Sequence, residues 1–140
     1  MAKGFAAPSD SDPIVKTSFR VPKKLPGAIR DHFELIDLSI KKRTEWIIEI
    51  SERFIQQSDA ALIVAEEFTV RGETDLIPLR ARQTFLDKMD QAARFFSEQA
   101  NVDIDRSSIL RTAIMQAIIS GTRDAFDPAD VQKLKEENDD

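Results

Sequence analysis

The chain of 140 residues has no cysteine, a single histidine and four glycines. Without cysteine there is no disulfide, no thiolate metal site and no cysteine nucleophile. With His32 as the sole histidine, a histidine metal cluster or a Ser-His-Asp triad lacks its parts. No glycine-rich loop is present to cradle a phosphate. No apolar run approaches the ~18 residues that a membrane span needs. The first eight residues, Met1-Ala2-Lys3-Gly4-Phe5-Ala6-Ala7-Pro8, lack the long apolar core of a secretory signal. These absences lead us to expect a cytoplasmic protein that is not an enzyme, with no cofactor, no metal and no membrane partner.

What is present is a normal globular balance, 41% hydrophobic and 32% charged residues, in a length that suits one domain. The net charge of −5 is unevenly spread. Residues 1–43 hold nine Lys/Arg (Lys3, Lys16, Arg20, Lys23, Lys24, Arg30, Lys41, Lys42, Arg43) against five acids. The remainder carries eleven Lys/Arg against twenty acids, seven of them in 124–140. Binding depends on the local field, because salt screens charges beyond roughly 10 Å. A basic start can therefore meet an anion although the whole chain is acidic.

One pattern occurs twice: a strand-like run and then two amphipathic helices, over 17–55 and again over 76–119. The first run is Lys16-Thr17-Ser18-Phe19-Arg20-Val21 followed by Pro22. The second is Leu76-Ile77-Pro78-Leu79-Arg80-Ala81 followed by Arg82. Both alternate, and both place an arginine just before the last small apolar residue. So short a strand is unstable alone, since its backbone donors and acceptors stay unpaired. Two of them in one chain can pair, which predicts an antiparallel ribbon whose register is held by Phe19 and Leu79 facing the core.

Around the strands the organisation reads as follows. Residues 1–13 form a flexible arm, 14–120 a single domain, and 121–140 an acidic tail with a short capped helix after Asp127-Pro128. Within the domain the repeats occupy 14–55 and 75–120, joined by a connector at 56–74. Leu25, Ile29, Phe33 and Ile36 make the buried stripe of the first helix, with Pro26 in its first turn. Trp46, Ile47, Ile50 and Phe54 make that of the second. Phe85, Met89, Ala92, Ala93 and Phe96 serve the third helix, which reads about one turn longer than the first and ends at Asn101-Val102-Asp103. Asp105 caps the fourth, whose face is Ile109, Leu110, Ala113, Ile114, Ala117 and Ile118, and Gly121 is expected to stop it. The connector is too apolar over 58–68 to be a plain linker and reads as an extension of the second helix or a helix of its own, and Arg71-Gly72-Glu73-Thr74 reads as the turn into the second strand. The expected shared core contains Phe19, Trp46, Leu79, Phe85 and Ile114. His32, beside Phe33, reads as partly buried and structural.

The order of strand, helix, short turn and helix resembles the ribbon-helix-helix superfamily of Arc and MetJ. Lys16-Thr17-Ser18-Phe19-Arg20-Val21-Pro22 looks like that family's strand. Ser39-Ile40-Lys41-Lys42-Arg43-Thr44-Glu45 and Ile104-Asp105-Arg106-Ser107-Ser108-Ile109-Leu110-Arg111 resemble its openings of the second helix. The fold this implies is mainly α with a short two-stranded antiparallel β-ribbon, two fused motifs forming an intramolecular pseudo-dimer. The resemblance implies double-stranded DNA as the partner, with the ribbon in the major groove. Lys16, Ser18, Arg20 and Arg80 would meet base edges. Lys23, Lys41, Lys42, Arg43, Thr44, Arg106, Ser107 and Ser108 would meet phosphates, because a helix start carries unsatisfied N–H groups. Pro78 requires a place whose N–H the other strand does not need.

Fused copies are similar to conjugation accessory proteins of the TraY type and to a tandem virulence protein acting near T-DNA borders. The expected function is sequence-specific DNA binding in plasmid transfer, in partition or in transcription regulation. A relaxase, a partition ATPase or another DNA-processing protein would be a further partner, and the monomer could assemble to higher order on DNA. Two other classes stay open: an antitoxin, and an interaction module that has lost DNA contact. The short stretch after Gly121 weighs against the antitoxin. The apolar second strand keeps the interaction module open.

Overall fold

A computed structural model describes residues 12–66 and 72–124. The elements run β1 (Ile14–Pro22), α1 (Leu25–Leu35), a 3-10 turn (Ile40–Lys42), α2 (Arg43–Phe54), α3 (Ala60–Glu66), β2 (Thr74–Arg82), α4 (Gln83–Ala100) and α5 (Arg106–Asp124). The protein is mainly helical with one two-stranded antiparallel sheet. Its strands pair within the chain along their full length, from Ile14 opposite Arg82 to Pro22 opposite Thr74. Both bounds of β2 lie sixty residues after those of β1, and Ser18 faces Pro78, also sixty residues on. The register is therefore symmetric about the Ser18–Pro78 pair.

Alternation explains why this register wins. Phe19, Val21, Ile77, Leu79 and Ala81 are all buried, while Lys16, Ser18, Arg20, Leu76, Pro78 and Arg80 are exposed. A one-residue slip would turn the buried set to solvent. Each large side chain lost from the core would forfeit about 1.5–3 kcal/mol. The ladder extends past both strand ends, with Lys23 N–H donating to Glu73 O at 3.1 Å and Gln83 N–H to Pro13 O at 2.9 Å. The exposed-face residues turn their backbone groups outward: Leu76 N–H donates to the Asp75 carboxylate, and Arg20 O accepts from Arg111. Strand geometry carries that direction on to Pro78, whose missing N–H the partner strand does not need.

The helices close over the other face of the ribbon. Leu25, Ile29 and Phe33 from α1, Ile47 and Phe54 from α2, Phe85, Met89 and Phe96 from α4, and Ile109, Leu110 and Ile114 from α5 join Phe19 and Leu79 in one core. Trp46 is half-buried at its margin, edge-on to Phe33. Ile36 is 41% exposed rather than buried. Helix α1 ends at Leu35, and the chain reverses through Asp37 at φ 56° before Leu38 N–H returns to Phe33 O. Asn101 adopts the same φ of 56° after α4. Such left-handed residues commonly close helices. Within the connector, α3 is a separate helix that buries Ala60, Ala61 and Val64. Gly72 at φ +79° makes the turn into β2.

Three expectations change. Gly121 does not stop the last helix, which continues to Asp124. Gly121 packs against His32 instead, and a Cβ there would stand 2.2 Å from the imidazole Cε1. The glycine is needed for close approach, not for termination. Asp12, read as part of the arm, accepts from Thr84 N–H at 2.9 Å and from the Thr84 hydroxyl at 2.8 Å at the start of α4, while residues 1–11 lie outside the described residues. These bonds, the backbone one foremost, hold the Asp12 carboxyl below its ordinary value. Finally, α4 exceeds α1 by seven residues, about two turns rather than one. The expected tail helix and Arg71 lie outside the described residues.

His32 is buried between Phe33 and Trp46, and burial holds its pKa below the ordinary 6.5. The unfolded chain then takes up that proton more readily than the folded one. Stability is full above the unfolded value and declines as pH falls toward the folded one. Thermal unfolding followed downward from neutral pH should show this decline, and His32→Leu should flatten it. Gly121→Ala should cost roughly 1–2 kcal/mol, since overpacking outweighs the helix preference of alanine. In a His32→Ala background the same change should be neutral or stabilising, as urea denaturation of the double variant would reveal.

Candidate nucleic-acid interface

The solvent face of the ribbon is a ladder of side-chain pairs set by the register. Ile14 stands opposite Arg82, Lys16 opposite Arg80, Ser18 opposite Pro78, and Arg20 opposite Leu76. All four residues expected to meet bases, Lys16, Ser18, Arg20 and Arg80, lie on this one face and are exposed. Arg82 was not among them, yet β2 runs through it and alternation puts it on the same face. The signal was available, since the period-two pattern continues from Arg80 to Arg82.

Antiparallel pairing gathers the charge at one end. Lys16, Arg80 and Arg82 share the first two rows, and Arg20 is alone at the other end. Lys16 and Arg80 form no ion pair within the described residues. Arg82 donates one N–H to the Asp12 carbonyl at 3.1 Å. Like charges directly opposite each other destabilise a free ribbon. At the other end the Arg20 guanidinium is steadied by the Thr74 hydroxyl at 2.6 Å.

Two helix starts flank the ribbon, and they differ. Helix α2 packs against β2, and α5 packs against β1. Before α2, the Ser39 hydroxyl accepts from Lys41 N–H at 3.2 Å, opening the 3-10 turn. Lys41 and Lys42 are exposed, and Arg43 and Thr44 are half-buried. Lys42 lies 3.6 Å from Glu45, while Lys41 and Arg43 have no ion pair among the described residues. Lys23 sits past the end of β1, paired with Glu73 at 2.9 Å. Both of these pairs are exposed, a class that contributes about 0–1 kcal/mol and yields readily to a competing anion.

The α5 start is occupied by its own structure. The Arg106 guanidinium grips Asp90 through two bonds of 2.9 and 3.0 Å. The Asp105 carboxylate accepts from both the N–H and the hydroxyl of Ser108, at 2.9 and 3.0 Å. Of the three residues expected to meet phosphate here, only the Ser107 hydroxyl makes no hydrogen bond among the described residues. It lines a concavity of about 350 Å³ shared with Thr17, Ser18, Asp90 and Asp105. The two acids beside a single arginine make this flank less favourable to phosphate than the α2 flank.

Sequence reasoning also missed Arg111. It is 9% exposed, donates through Nη1 to Arg20 O at 3.0 Å and through Nη2 to Ser108 Oγ at 3.3 Å, and its Nε has no partner among the described residues. The residue ties α5 to the ribbon at the backbone of Arg20. Its signal was a charge set within an apolar helical stripe. Among the described residues, no group of His, Asp and Glu is placed to hold a metal, and no helix is long and apolar enough to cross a membrane.

No family model, curated protein or solved structure matches this chain. Removing the cap at the α5 start tests the local account. Asp105→Ala should lower the unfolding free energy by about 1 kcal/mol, the usual worth of an N-cap. Urea denaturation measures it, and Asp105→Asn should recover most of the loss.

Proposed function

We propose that this chain is a sequence-specific double-stranded DNA-binding protein that lays its ribbon in the major groove. The observation that carries the reading is the cationic end of the ribbon, where Lys16 and Arg80 face each other with no acid among the described residues paired to either. A two-stranded ribbon fits the major groove, and arginine can bond guanine O6 and N7 there. The basic turn at Lys41, Lys42 and Arg43 opens helix α2, which packs against β2, and a helix start of this kind favours a phosphate contact.

Two fused ribbon-helix-helix motifs, paired as a single-chain pseudo-dimer, account for the symmetric register. In such a pair each half-site is read by one end of the ribbon, so it draws on both strands. The asymmetry is then between ends rather than between copies. One end offers Lys16, Arg80 and Arg82, and the other Arg20 beside Leu76. An asymmetric site gives the bound protein a direction, which suits an accessory factor in plasmid transfer or partition, or a regulator of its own promoter. Binding rather than catalysis is the role.

A second reading, an interaction module, draws support from Leu76 and Pro78 on the exposed face and from Asp90 and Asp105 at the α5 flank. Competition between specific and random duplexes separates the two readings. Arg20→Ala should weaken specific binding by about 1–3 kcal/mol and random binding less. Lys41→Ala should weaken both and reduce the salt slope by about one unit. Footprinting should give an asymmetric site, with Arg20→Ala and the Arg80→Ala/Arg82→Ala pair affecting opposite halves. A perfect palindrome with equal losses, or no preference for any duplex, would sink the proposal.

A further inference from the structure

Leu76 is the large apolar side chain that interrupts the polar face of the ribbon nearest its centre. It is 49% exposed and stands directly opposite Arg20. Its N–H points away from β1, toward Asp75. The Arg20–Leu76 pair is therefore of the non-hydrogen-bonded kind, in which side chains across the ribbon come closest. The guanidinium is held by Thr74 one row further out, and its backbone is held by Arg111. The arginine and the leucine thus project together as one fixed unit.

Position along the ribbon decides what this unit can touch. The Arg20–Leu76 row lies two residues from the Ser18–Pro78 centre, which is about 7 Å along a strand. That is on the order of two base-pair steps, within the reach of a ribbon seated in the groove. Ile14 is also exposed, at 55%, but it lies four residues from the centre. At about 13 Å the ribbon end faces the sugar-phosphate rim instead.

On the floor of the major groove one feature is apolar: the C5-methyl group of a pyrimidine. Resting on the DNA-binding reading, we propose that Leu76 is a specificity residue that packs on a pyrimidine C5-methyl beside the guanine taken by Arg20. An exposed leucine on an edge-bearing ribbon is an aggregation hazard in water. A methyl group on the groove floor covers it. The half-site at this end then contains a guanine next to a thymine or a 5-methylcytosine, and the other end, with three cations, has no such requirement.

The test uses the full chain and a duplex enriched from a random 30-mer library. Each thymine of that duplex is replaced in turn by deoxyuridine, which lacks only the methyl group. One position should lose about three- to fourfold in affinity, equivalent to burying one methylene-sized group. It should lie in the half-site affected by Arg20→Ala. Leu76→Ala should fold normally, since the side chain is half-exposed, and should bind the thymine and deoxyuridine duplexes equally. Replacing that thymine by cytosine and then by 5-methylcytosine separates the two methyl sources. Recovery with 5-methylcytosine means that the methyl itself is read, and no recovery means that thymine is read as a whole base. Uniform indifference to deoxyuridine, or an unchanged response in Leu76→Ala, would overturn the methyl contact while leaving DNA binding intact. Failure to enrich any duplex would overturn the DNA reading and this inference with it.

Discussion

Everything in this molecule depends on the pairing of two strands that lie sixty residues apart in the chain. Among the described residues neither strand has another partner, and neither can satisfy its backbone alone. Their contact closes a long loop, an entropic cost that grows slowly with length. The return is a sheet whose inner face supplies Phe19, Val21, Ile77, Leu79 and Ala81 to the core. The helices then have one surface to cover, with α2 packed against β2 and α5 against β1.

The pairing also decides the electrostatics. Along the sequence the exposed face of the first strand carries Lys16 and Arg20, and that of the second carries Arg80 and Arg82. Antiparallel register rearranges them, setting Lys16 against Arg80 and Arg82 and leaving Arg20 beside Leu76. A net charge of −5 is compatible with this, because the acids Asp90 and Asp105 are engaged at the α5 start while the α2 start keeps Lys41 and Arg43 unpaired. The two flanks of the ribbon therefore present different fields, although the helices that build them have similar packing roles.

Polar groups placed inside the molecule perform positioning rather than chemistry. Arg111 reaches from α5 to the carbonyl of Arg20, and Ser97 joins α4 to the next turn by accepting from Ile104 N–H at 2.9 Å. His32 fills the space that Gly121 leaves open between α1 and α5. Two of these, Arg111 with Arg20 and His32 with Gly121, link elements distant in sequence. Backbone-directed hydrogen bonds suit that role, because they fix position without demanding a particular neighbouring side chain.

Sequence by itself determined the elements with strong periods. Alternation in the two runs gave the strands, their buried faces and the exposure of Lys16, Ser18, Arg20 and Arg80. Helical spacing gave the stripes of α1, α2, α4 and α5, and Asp105 announced its helix because capping is local. Tertiary structure alone decided the remainder. The bond from Arg106 to Asp90, the tie from Arg111 to Arg20, the cap that Asp12 provides for α4 and the fit of Gly121 against His32 all join residues brought together only by folding. Gly121 shows the difference most plainly. A glycine near a helix end reads locally as a stop, yet the helix continues to Asp124, and an imidazole from another helix occupies the place of the missing side chain. Local pattern encodes which face of an element is buried, and the partner that meets that face is set by packing across the whole chain.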